Sequence, residues 1–519
     1  MNQSVSYWMD TATPPDFPPF QGDRTCDAAI IGGGLTGITT GTLLAQKGLH
    51  VIVLESDKVG SGTTSKTTAK ITIQHGLKYR QYIRGIGVEN TAMYAKANLL
   101  GFDLIEKLIR DHNISCDYTI ETAYIFADSE KDLSKLEDEK RAYDKLGLTS
   151  YVIEQCKLPF PVSGAFGVPR QAYFHPLKYL YALTDVLKKS GGEIFEHSHV
   201  KNVDKENGTV YVNGGSLRAK YVILATNYPF LDMPGYYFIR IFQVRSYLTE
   251  TVTSDYNVQG MYLNAGNPTI TIRSHADENG QHLLLGGYNH KTGHQKNQKP
   301  IYEKIDLVKQ DRFPFIKEPI QHYWSTQDSV TLDHIPYIGR LSSQTPNIFI
   351  ATGYDKWGMT NSAAAALILA HEITEEKHPI METKGIFSPS RFTPGAAAKE
   401  FLFLGADAVK EYALSGLIIP KGQIDKIKKG EGKVIRADGQ ILAVYRDQEN
   451  NLSVFDAHCT HRMCPLTFNK NENSWDCPCH GSRFDMKGNI ISGPAVEPLK
   501  RFEIKSEEVK EETTEQKES

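Results

Sequence analysis

No uninterrupted apolar run in this 519-residue chain approaches the roughly 18 residues a bilayer-spanning helix needs, so no transmembrane segment is expected. Neither sign of charge is in excess. Fifty-eight Lys and Arg stand against 61 Asp and Glu, for a net charge of −3, which removes the electrostatic case for nucleic acid or an anionic membrane as partner. A secretory start is also missing: MNQSVSYWMDTATPPDFPPF has neither a basic opening nor an apolar core, and no twin arginine. The expectation is a cytoplasmic protein, with peripheral membrane attachment left open. There is no internal repeat. Cysteine is scarce, with seven in the chain. Cys26, Cys116 and Cys156 are scattered and are expected to be buried thiols rather than nucleophiles. The other four crowd into one stretch near the C-terminus.

That stretch, Cys459–Ser482, reads CTHRMCPLTFNKNENSWDCPCHGS. Cys459 and His461 form C-x-H, and Cys477 and His480 form C-x-x-H. Two thiolates on one iron and two imidazoles on the other are the ligand set of a Rieske [2Fe–2S] centre. A structural zinc site is the alternative for two Cys and two His, although zinc loops usually pair C-x2–4-C with H-x3–5-H. In this chain each loop carries one Cys, one His and a further Cys.

The two strings resemble the Rieske family branch whose loops read CTHxxC and CPCHGS. The resemblance covers residues 420–505. It implies Cys459, His461, Cys477 and His480 as ligands and Cys464–Cys479 as a disulfide joining the loops. It also makes Ser492-Gly493-Pro494-Ala495 a loop covering the cluster. Ser482 takes the position whose hydroxyl donates to a bridging sulfide. In respiratory relatives a Tyr two positions later is a second donor; this chain has Phe484, which implies a lower potential. A disulfide is unusual in a reducing compartment, a tension that burial beside the cluster would ease.

At the other end, the apolar run Cys26–Ile31 leads into Gly32-Gly33-Gly34-Leu35-Thr36-Gly37, a G-x-G-x-x-G. A helix-like stretch, Thr39–Lys47, and a second strand, His50–Leu54, come next, ending at Glu55. Gly32 permits the tight turn, Gly34 lets backbone approach a pyrophosphate, and Gly37 allows close helix–strand packing. Phosphates would sit at the helix N-terminus, and Glu55 would accept a hydrogen bond from a ribose hydroxyl. An ordinary Gly-rich turn is the plainer reading, but strand, helix and acidic residue all stand where a dinucleotide site needs them. FAD suits this chain better than NAD. A [2Fe–2S] centre takes one electron at a time, a nicotinamide delivers hydride, and a flavin accepts hydride and releases single electrons. Only one G-x-G-x-x-G is present.

Four segments together resemble the D-amino-acid-oxidase superfamily of FAD enzymes over residues 20–390. They are the glycine motif; Tyr221–Thr226 (YVILAT), which places Ala225 and Thr226 near FAD; Asp333–Gly339 (DHIPYIG); and Asn347–Thr360 (NIFIATGYDKWGMT). The last implies that Gly353, Gly358, Met359 and Thr360 bring backbone N–H groups and a helix dipole to the flavin ring. One departure matters. Amine-oxidising relatives carry an Arg-Asn-Gly-Gly-like run after the acidic strand, where this chain has Ser65-Lys66-Thr67-Thr68-Ala69-Lys70.

Helices are expected over Thr91–His112 and Pro176–Lys189, and strands over Ile241–Val252 and Gln281–Tyr288. Arg245 and Arg273 are expected in structural salt bridges, with a substrate carboxylate as the alternative. His75 is expected as a polar loop residue, with a flavin contact or tether as the alternative. Asp333 and His334, as neighbours, should point apart. Residues 1–23, rich in proline, should be extended, and residues 376–398 read as loop.

The expected fold class is α/β plus all-β: a Rossmann-like FAD-binding domain interleaved with an antiparallel-sheet substrate domain, then a small Rieske β domain. The expected divisions are 1–395 for the flavin region, 396–420 for a helical connector, 421–505 for the Rieske domain and 506–519 for a disordered tail. Strands are expected at Val434–Ala437, Leu442–Arg446 and Leu452–Asp456. The expected activity is a flavin-dependent oxidoreductase, a dehydrogenase of an amine, amino acid or similar small molecule. Electrons would pass singly between FAD and the cluster, to or from an external partner. The alternative is a non-catalytic electron-transfer or redox-sensing protein. A Rieske oxygenase would need a further mononuclear iron site, and no helix-borne motif for one is present.

Overall fold

The computed structural model describes all residues except 1–4, 232, 255, 295–299, 399, 401, 403–418, 438 and 503–519. Most of the expected connector (396–420) and all of the expected tail (506–519) therefore lie outside the described residues. The chain divides into two compact units, Met1–Ala406 and Asp407–Ser519. Among the described residues no helix is long and apolar enough to cross a membrane.

In the first unit, one sheet runs in the order Tyr337–Arg340, Ile348–Thr352, Gly215–Leu224, Gly22–Ile31, Val51–Leu54, Glu193–Phe195. Neighbours along this path are parallel except the edge strand Tyr337–Arg340, and a further antiparallel pair, Thr209–Val212 and Val200–Val203, adds onto Gly215–Leu224. Its strands read as continuous apolar runs (Ala28-Ala29-Ile30-Ile31, Val51–Leu54) because helices cover a parallel sheet on its faces. The helix Leu35–Gln46 comes after the first strand and is buried over most of its length. Its threonines tolerate this because the Thr40 and Thr42 hydroxyls bond back to the carbonyls of Thr36 and Ile38, at 2.7 and 2.8 Å. The alanine-rich helix Gly358–Thr374 packs beside it.

The second sheet has nine strands in the order His322–Thr331, Ile241–Ser254, Gly280–Lys291, Ile270–Asp277, Met261–Asn264, Thr119–Ala127, Gly164–Tyr173, Lys70–Ile71, with Tyr151–Ile153 also on Gly164–Tyr173. It is antiparallel, as expected of the substrate domain, apart from one parallel pairing between Met261–Asn264 and Thr119–Ala127. Its segments alternate in sequence with those of the first sheet, so the two are interleaved.

Pro176–Lys189 forms the helix its periodicity predicts. The helix expected over Thr91–His112 begins earlier, at Tyr79, and runs to Asp111 through a break at Gly87, where φ is +84°. Glycine hides that first segment because it is a poor helix former. Two expectations are corrected. Residues 1–23 are not wholly extended: Tyr7–Asp10 makes a helical turn capped by Ser6, upstream of the first proline, Pro14, whose ring cannot constrain it. The supposed loop 376–398 contains helical turns at Pro379–Thr383 and Lys384–Phe387.

The second unit holds two four-stranded antiparallel sheets. One is Glu431–Ala437, Gln440–Arg446, Leu452–Asp456 and Arg501–Phe502, and contains all three expected strands. The other is Thr467–Asn469, Ser474–Asp476, Arg483–Phe484 and Ile490–Ser492, whose strands are too short to leave a period in the sequence. Phe455, Trp475, Phe484 and Leu499 form the core around the cysteines.

Candidate functional site

The glycine motif lies where the first strand turns into the helix Leu35–Gln46. Gly32 has φ +116°, and a Cβ there would sit 2.4 Å from the Ala225 carbonyl oxygen. A Cβ on Gly37 would lie 1.9 Å from the Gly32 carbonyl oxygen, so the helix closes on the strand only because Gly37 has no side chain. Gly34 caps the helix without a side-chain hydrogen bond. Glu55, directly after Val51–Leu54, accepts from Gly33 N at 2.7 Å and Asp57 N at 3.0 Å, which fixes its carboxylate beside the glycine turn. Ala225 extends the neighbouring strand, its N–H donating to the Ile31 carbonyl at 2.8 Å. The Thr226 hydroxyl donates to the Tyr228 carbonyl at 2.7 Å.

The Gly353–Gly358 turn approaches the same region. The Tyr354 hydroxyl lies 3.0 Å from Thr36 Oγ1, on the first turn of the glycine-motif helix. Gly353, Asp355 and Lys356 all have positive φ (+79°, +47° and +72°), and the strain at the two non-glycine residues needs external support. Asp355 supplies it: its carboxylate bonds His334 Nδ1 at 2.8 Å and also Lys78 Nζ. Gly358 opens the helix Gly358–Thr374, with Met359 and Thr360 buried behind it. The helices that start after Gly34 and at Gly358 have no side-chain cap, and with Glu55 they suit a dinucleotide: helix-start N–H groups for a pyrophosphate and an acceptor for a sugar hydroxyl.

His75 is a hydrogen-bonded loop residue, as expected, but it lies inside the protein. It is fully buried and stacks on Trp357, with ring centroids 4.8 Å apart. Its Nε2 faces the Thr72 carbonyl at 2.9 Å and must carry the proton, and Nδ1 accepts from the Tyr94 hydroxyl at 2.6 Å. Burial pushes its pKa down to about 3, so it is a neutral, fully bonded strut. Arg273 makes no ion pair among the described residues, contrary to expectation. It donates to the Thr68 and Ser274 carbonyls and lies over the rings of Tyr173 and Trp8. Arg245 donates to the Ser325 hydroxyl. Asp333 and His334 do turn to different partners: Asp333 takes a two-pronged bond from Arg391, at 2.7 and 2.8 Å, and a third from Thr393. Burial works against the Asp333 charge, but Arg391 prevails and holds the carboxyl down to about 2. Sequence reading missed Arg391, which lies in an unpatterned segment far from its partner.

The segment Ser65–Lys70, where this chain departs from the family pattern, is fastened to the second sheet. Lys70 Nζ donates to the Tyr262 carbonyl at 2.7 Å and the Thr271 hydroxyl at 2.6 Å. Burial lowers its pKa to about 7. Cys116 is buried and Cys26 and Cys156 half-buried. Burial pushes the Cys26 and Cys116 thiols up to about 12, which leaves them poor nucleophiles.

In the second unit, Cys459 and His461 stand on one loop and Cys477 and His480 on the other, with Cys464 and Cys479 bonded across them. Each loop is a backbone-bonded turn: Met463 N donates to Cys459 O at 2.8 Å, and Gly481 N to Cys477 O at 2.9 Å. Cys459 and Cys477 are 0% and 1% exposed. Hydrogen bonding to Cys477 pulls the Cys459 thiol down to about 6, while Cys477 is pushed up. The imidazoles of His461 and His480 meet edge to face, centroids 5.0 Å apart. Their Nδ1 atoms are buried, while the residues themselves are only half-buried. Ser482 Oγ accepts from Ala495 N at 3.0 Å, which ties the Ser492–Ala495 loop over the site. Phe484 is fully buried in the core. Paired sulfur and paired nitrogen donors fit a Rieske cluster better than a zinc ion.

Comparison with known proteins finds a family for each of the two regions. Residues 27–372 match the FAD dependent oxidoreductase family and residues 418–503 the Rieske [2Fe-2S] domain. The chain is 36% identical over 502 residues to a Rieske 2Fe-2S iron-sulfur protein, YhfW, of Bacillus subtilis, covering 96% of this chain and 97% of that one. It is 23% identical to gamma-glutamylputrescine oxidoreductase of Escherichia coli, over 67% of this chain and 83% of the other. In fold, it is similar to glycine oxidase from Geobacillus kaustophilus: TM-score 0.59, 17% identity, 71% of this chain and 99% of that structure.

Proposed function

The chain belongs to the FAD dependent oxidoreductase family and carries a C-terminal Rieske [2Fe-2S] domain; from that premise we propose that it dehydrogenates a small amine or amino acid and passes the electrons singly to an external acceptor. The observation that carries this reading is the presence, on one chain, of a glycine cradle shaped for a dinucleotide and a two-Cys, two-His donor set. When bound, FAD supplies two-electron oxidation and a [2Fe–2S] centre one-electron transfer, so the pair converts a hydride into single electrons.

Gly32, Gly34 and Gly37 would let the pyrophosphate lie against the N-terminus of Leu35–Gln46, with Glu55 accepting from the ribose. Ala225 and Thr226 would flank the cofactor. The N–H groups at Gly353, Gly358, Met359 and Thr360 would favour negative charge on the ring. Cys459 and Cys477 would hold one iron, His461 and His480 the other. His461 and His480, half-buried where the two cysteines are buried, would be the ligands nearest solvent, and an electron partner would dock on that side. An amine substrate is supported by the likeness to a relative named for gamma-glutamylputrescine. A cytoplasmic location belongs to the same reading; Cys464, at 1% exposure, keeps half of the bridge away from thiol reductants.

The test is anaerobic mixing of the purified holoprotein with a panel of amines and amino acids. Loss of flavin absorbance, followed by the paramagnetic signal of a reduced imidazole-ligated iron pair, is the expected result. If no compound bleaches the flavin while dithionite reduces both centres, the chain is an electron-transfer or sensing protein and not a dehydrogenase.

A further inference from the structure

Strand His322–Thr331 runs beside two segments of the proposed flavin site, the Ala225–Asn227 strand end and the Gly353–Gly358 turn. The Asn227 amide and the Thr63 hydroxyl reach the Gln327 carbonyl, at 3.1 and 3.5 Å. Asp355 N donates to the Ser329 carbonyl at 3.1 Å, and Val330 bridges to Tyr354. Gln327 and Ser329 are consumed structurally on one side of the strand, by Thr292 and by Gln243 and Asn227. Thr326 and Asp328 alternate with them on the other side, together with Trp324, which packs into the main core.

On that side the polar groups are left over. The Thr326 hydroxyl is buried with no hydrogen-bond partner among the described residues. Asp328 makes no hydrogen bond or ion pair among them. Lys356, on the strained turn, makes none among them either; the antiparallel bridge between Val330 and Tyr354 brings the turn that carries Lys356 against the strand that carries Asp328. Asp328 is half-buried, and burial raises its carboxyl to about 6, while Lys356 on the facing turn is exposed. A half-buried carboxylate left unpaired is costly, and polar groups left unsatisfied on a rigid strand mark a binding site.

We propose that Asp328, with the Thr326 hydroxyl beside it, is the specificity-determining counter-charge for a cationic nitrogen on the substrate, and that Lys356 on the facing turn receives an anionic group. This rests on the dehydrogenase reading and sharpens it: the preferred ligand is a small zwitterion, an amine without a carboxylate binds less well, and a simple carboxylate binds least.

Three probes of one length separate the charges: n-butylamine, n-butyrate and 4-aminobutyrate, titrated calorimetrically into the full-length FAD-loaded protein at pH 7.5. In wild type 4-aminobutyrate should bind tightest and butyrate weakest. Asp328→Asn, nearly isosteric, should weaken the amine and the zwitterion by about tenfold or more, the loss of one charge-assisted hydrogen bond, and leave butyrate unchanged. Lys356→Met should weaken butyrate and 4-aminobutyrate but not the amine. Bound FAD per chain, read from absorbance, verifies that each variant is folded. Wild-type affinity for the amine in Asp328→Asn overturns the proposal, as does failure of all three probes to bind the FAD-loaded wild type. The dehydrogenase reading fails separately, in the anaerobic bleaching experiment, whatever these affinities are.

Discussion

The two redox sites of this chain are built on opposite plans. The flavin cradle draws Gly32, Glu55, Thr226 and Gly358 from distant parts of the sequence, and the sheets and helices between them must all form before the site exists. The iron–sulfur site draws its four donors from two turns within Cys459–His480, joined by a disulfide. A gathered site depends on close backbone approach, where one methyl group does harm. A local site depends on its turns and cross-link, and tolerates change elsewhere.

The sharpest way to break this comparison is Gly37→Ala. The new Cβ would meet the Gly32 carbonyl oxygen at 1.9 Å. Backbone, not a movable side chain, is the obstacle, so the cost falls at the upper end for overpacking, about 3 kcal/mol, on the element that positions the pyrophosphate. Purified Gly37→Ala should retain little or no flavin, while the paramagnetic spectrum of the cluster persists. Loss of both centres together would mean that the sites do not form independently.

The converse change is the double substitution Cys464→Ser, Cys479→Ser. The bridge closes a loop of 15 residues, for which chain entropy predicts about 3 kcal/mol. That stabilisation belongs to the Rieske unit alone. Calorimetry should show its transition moving to lower temperature, while flavin content and the transition of the larger unit stay as in wild type. An unmoved Rieske transition would mean that the backbone turns and core suffice without the cross-link.

The same contrast explains what could be read from sequence. The cluster donors were legible because rare residues stand close together, and the glycine motif because strand, helix and acidic residue succeed it locally. Arg391 was not: its partner Asp333 lies far away in sequence, and nothing near Arg391 marks it. Arg273 looked like a salt-bridge residue because most arginines are not ligands, whereas carbonyls and the rings of Tyr173 and Trp8 surround it instead. Tyr7–Asp10 was masked by the prolines from Pro14 onward. His75 looked polar in the string Gln74-His75-Gly76, yet the long helix and the Gly358 turn close over it. Asp328 sits among serine, threonine and glutamine, and acquires meaning only when the Lys356 turn is folded against its strand.

A smaller effect sharpens the local plan. Phe484 packs against Trp475 across the strand pair, in the core beside the cluster cysteines. If the hydroxyl of Phe484→Tyr reaches a cluster sulfur, one hydrogen bond of about 1 kcal/mol corresponds to roughly +40 mV for one electron. Voltammetry on the holoprotein should register that rise. An unchanged midpoint would assign position 484 to packing alone.

The smallest expected effect tests the gathered plan through pH. His282 lies between two carboxylates, Glu250 at 2.6 Å and Asp277 at 2.8 Å, and His322 between Glu250 at 2.6 Å and Asp10 at 3.2 Å. Carboxylates only accept, so both rings must donate from both nitrogens and be protonated. Burial opposes the charge on His282, but Glu250 and Asp277 outweigh it and its pKa is raised; Glu250 raises that of His322. His275, stacked on His282 at 4.8 Å, is driven the other way by burial and stays neutral. Because the two folded values lie above the unfolded one of about 6.5, their contribution is complete below that pH and is lost as pH rises through the folded values. Asp10 and Tyr7, which bonds Asp277 at 2.8 Å, connect this network to the N-terminal turn, so that turn should loosen first. The melting temperature of the larger unit should fall from pH 6 to pH 9, and the double substitution His282→Gln, His322→Gln should flatten the slope. A slope unchanged by the substitution would show that the alkaline loss arises elsewhere in the flavin unit.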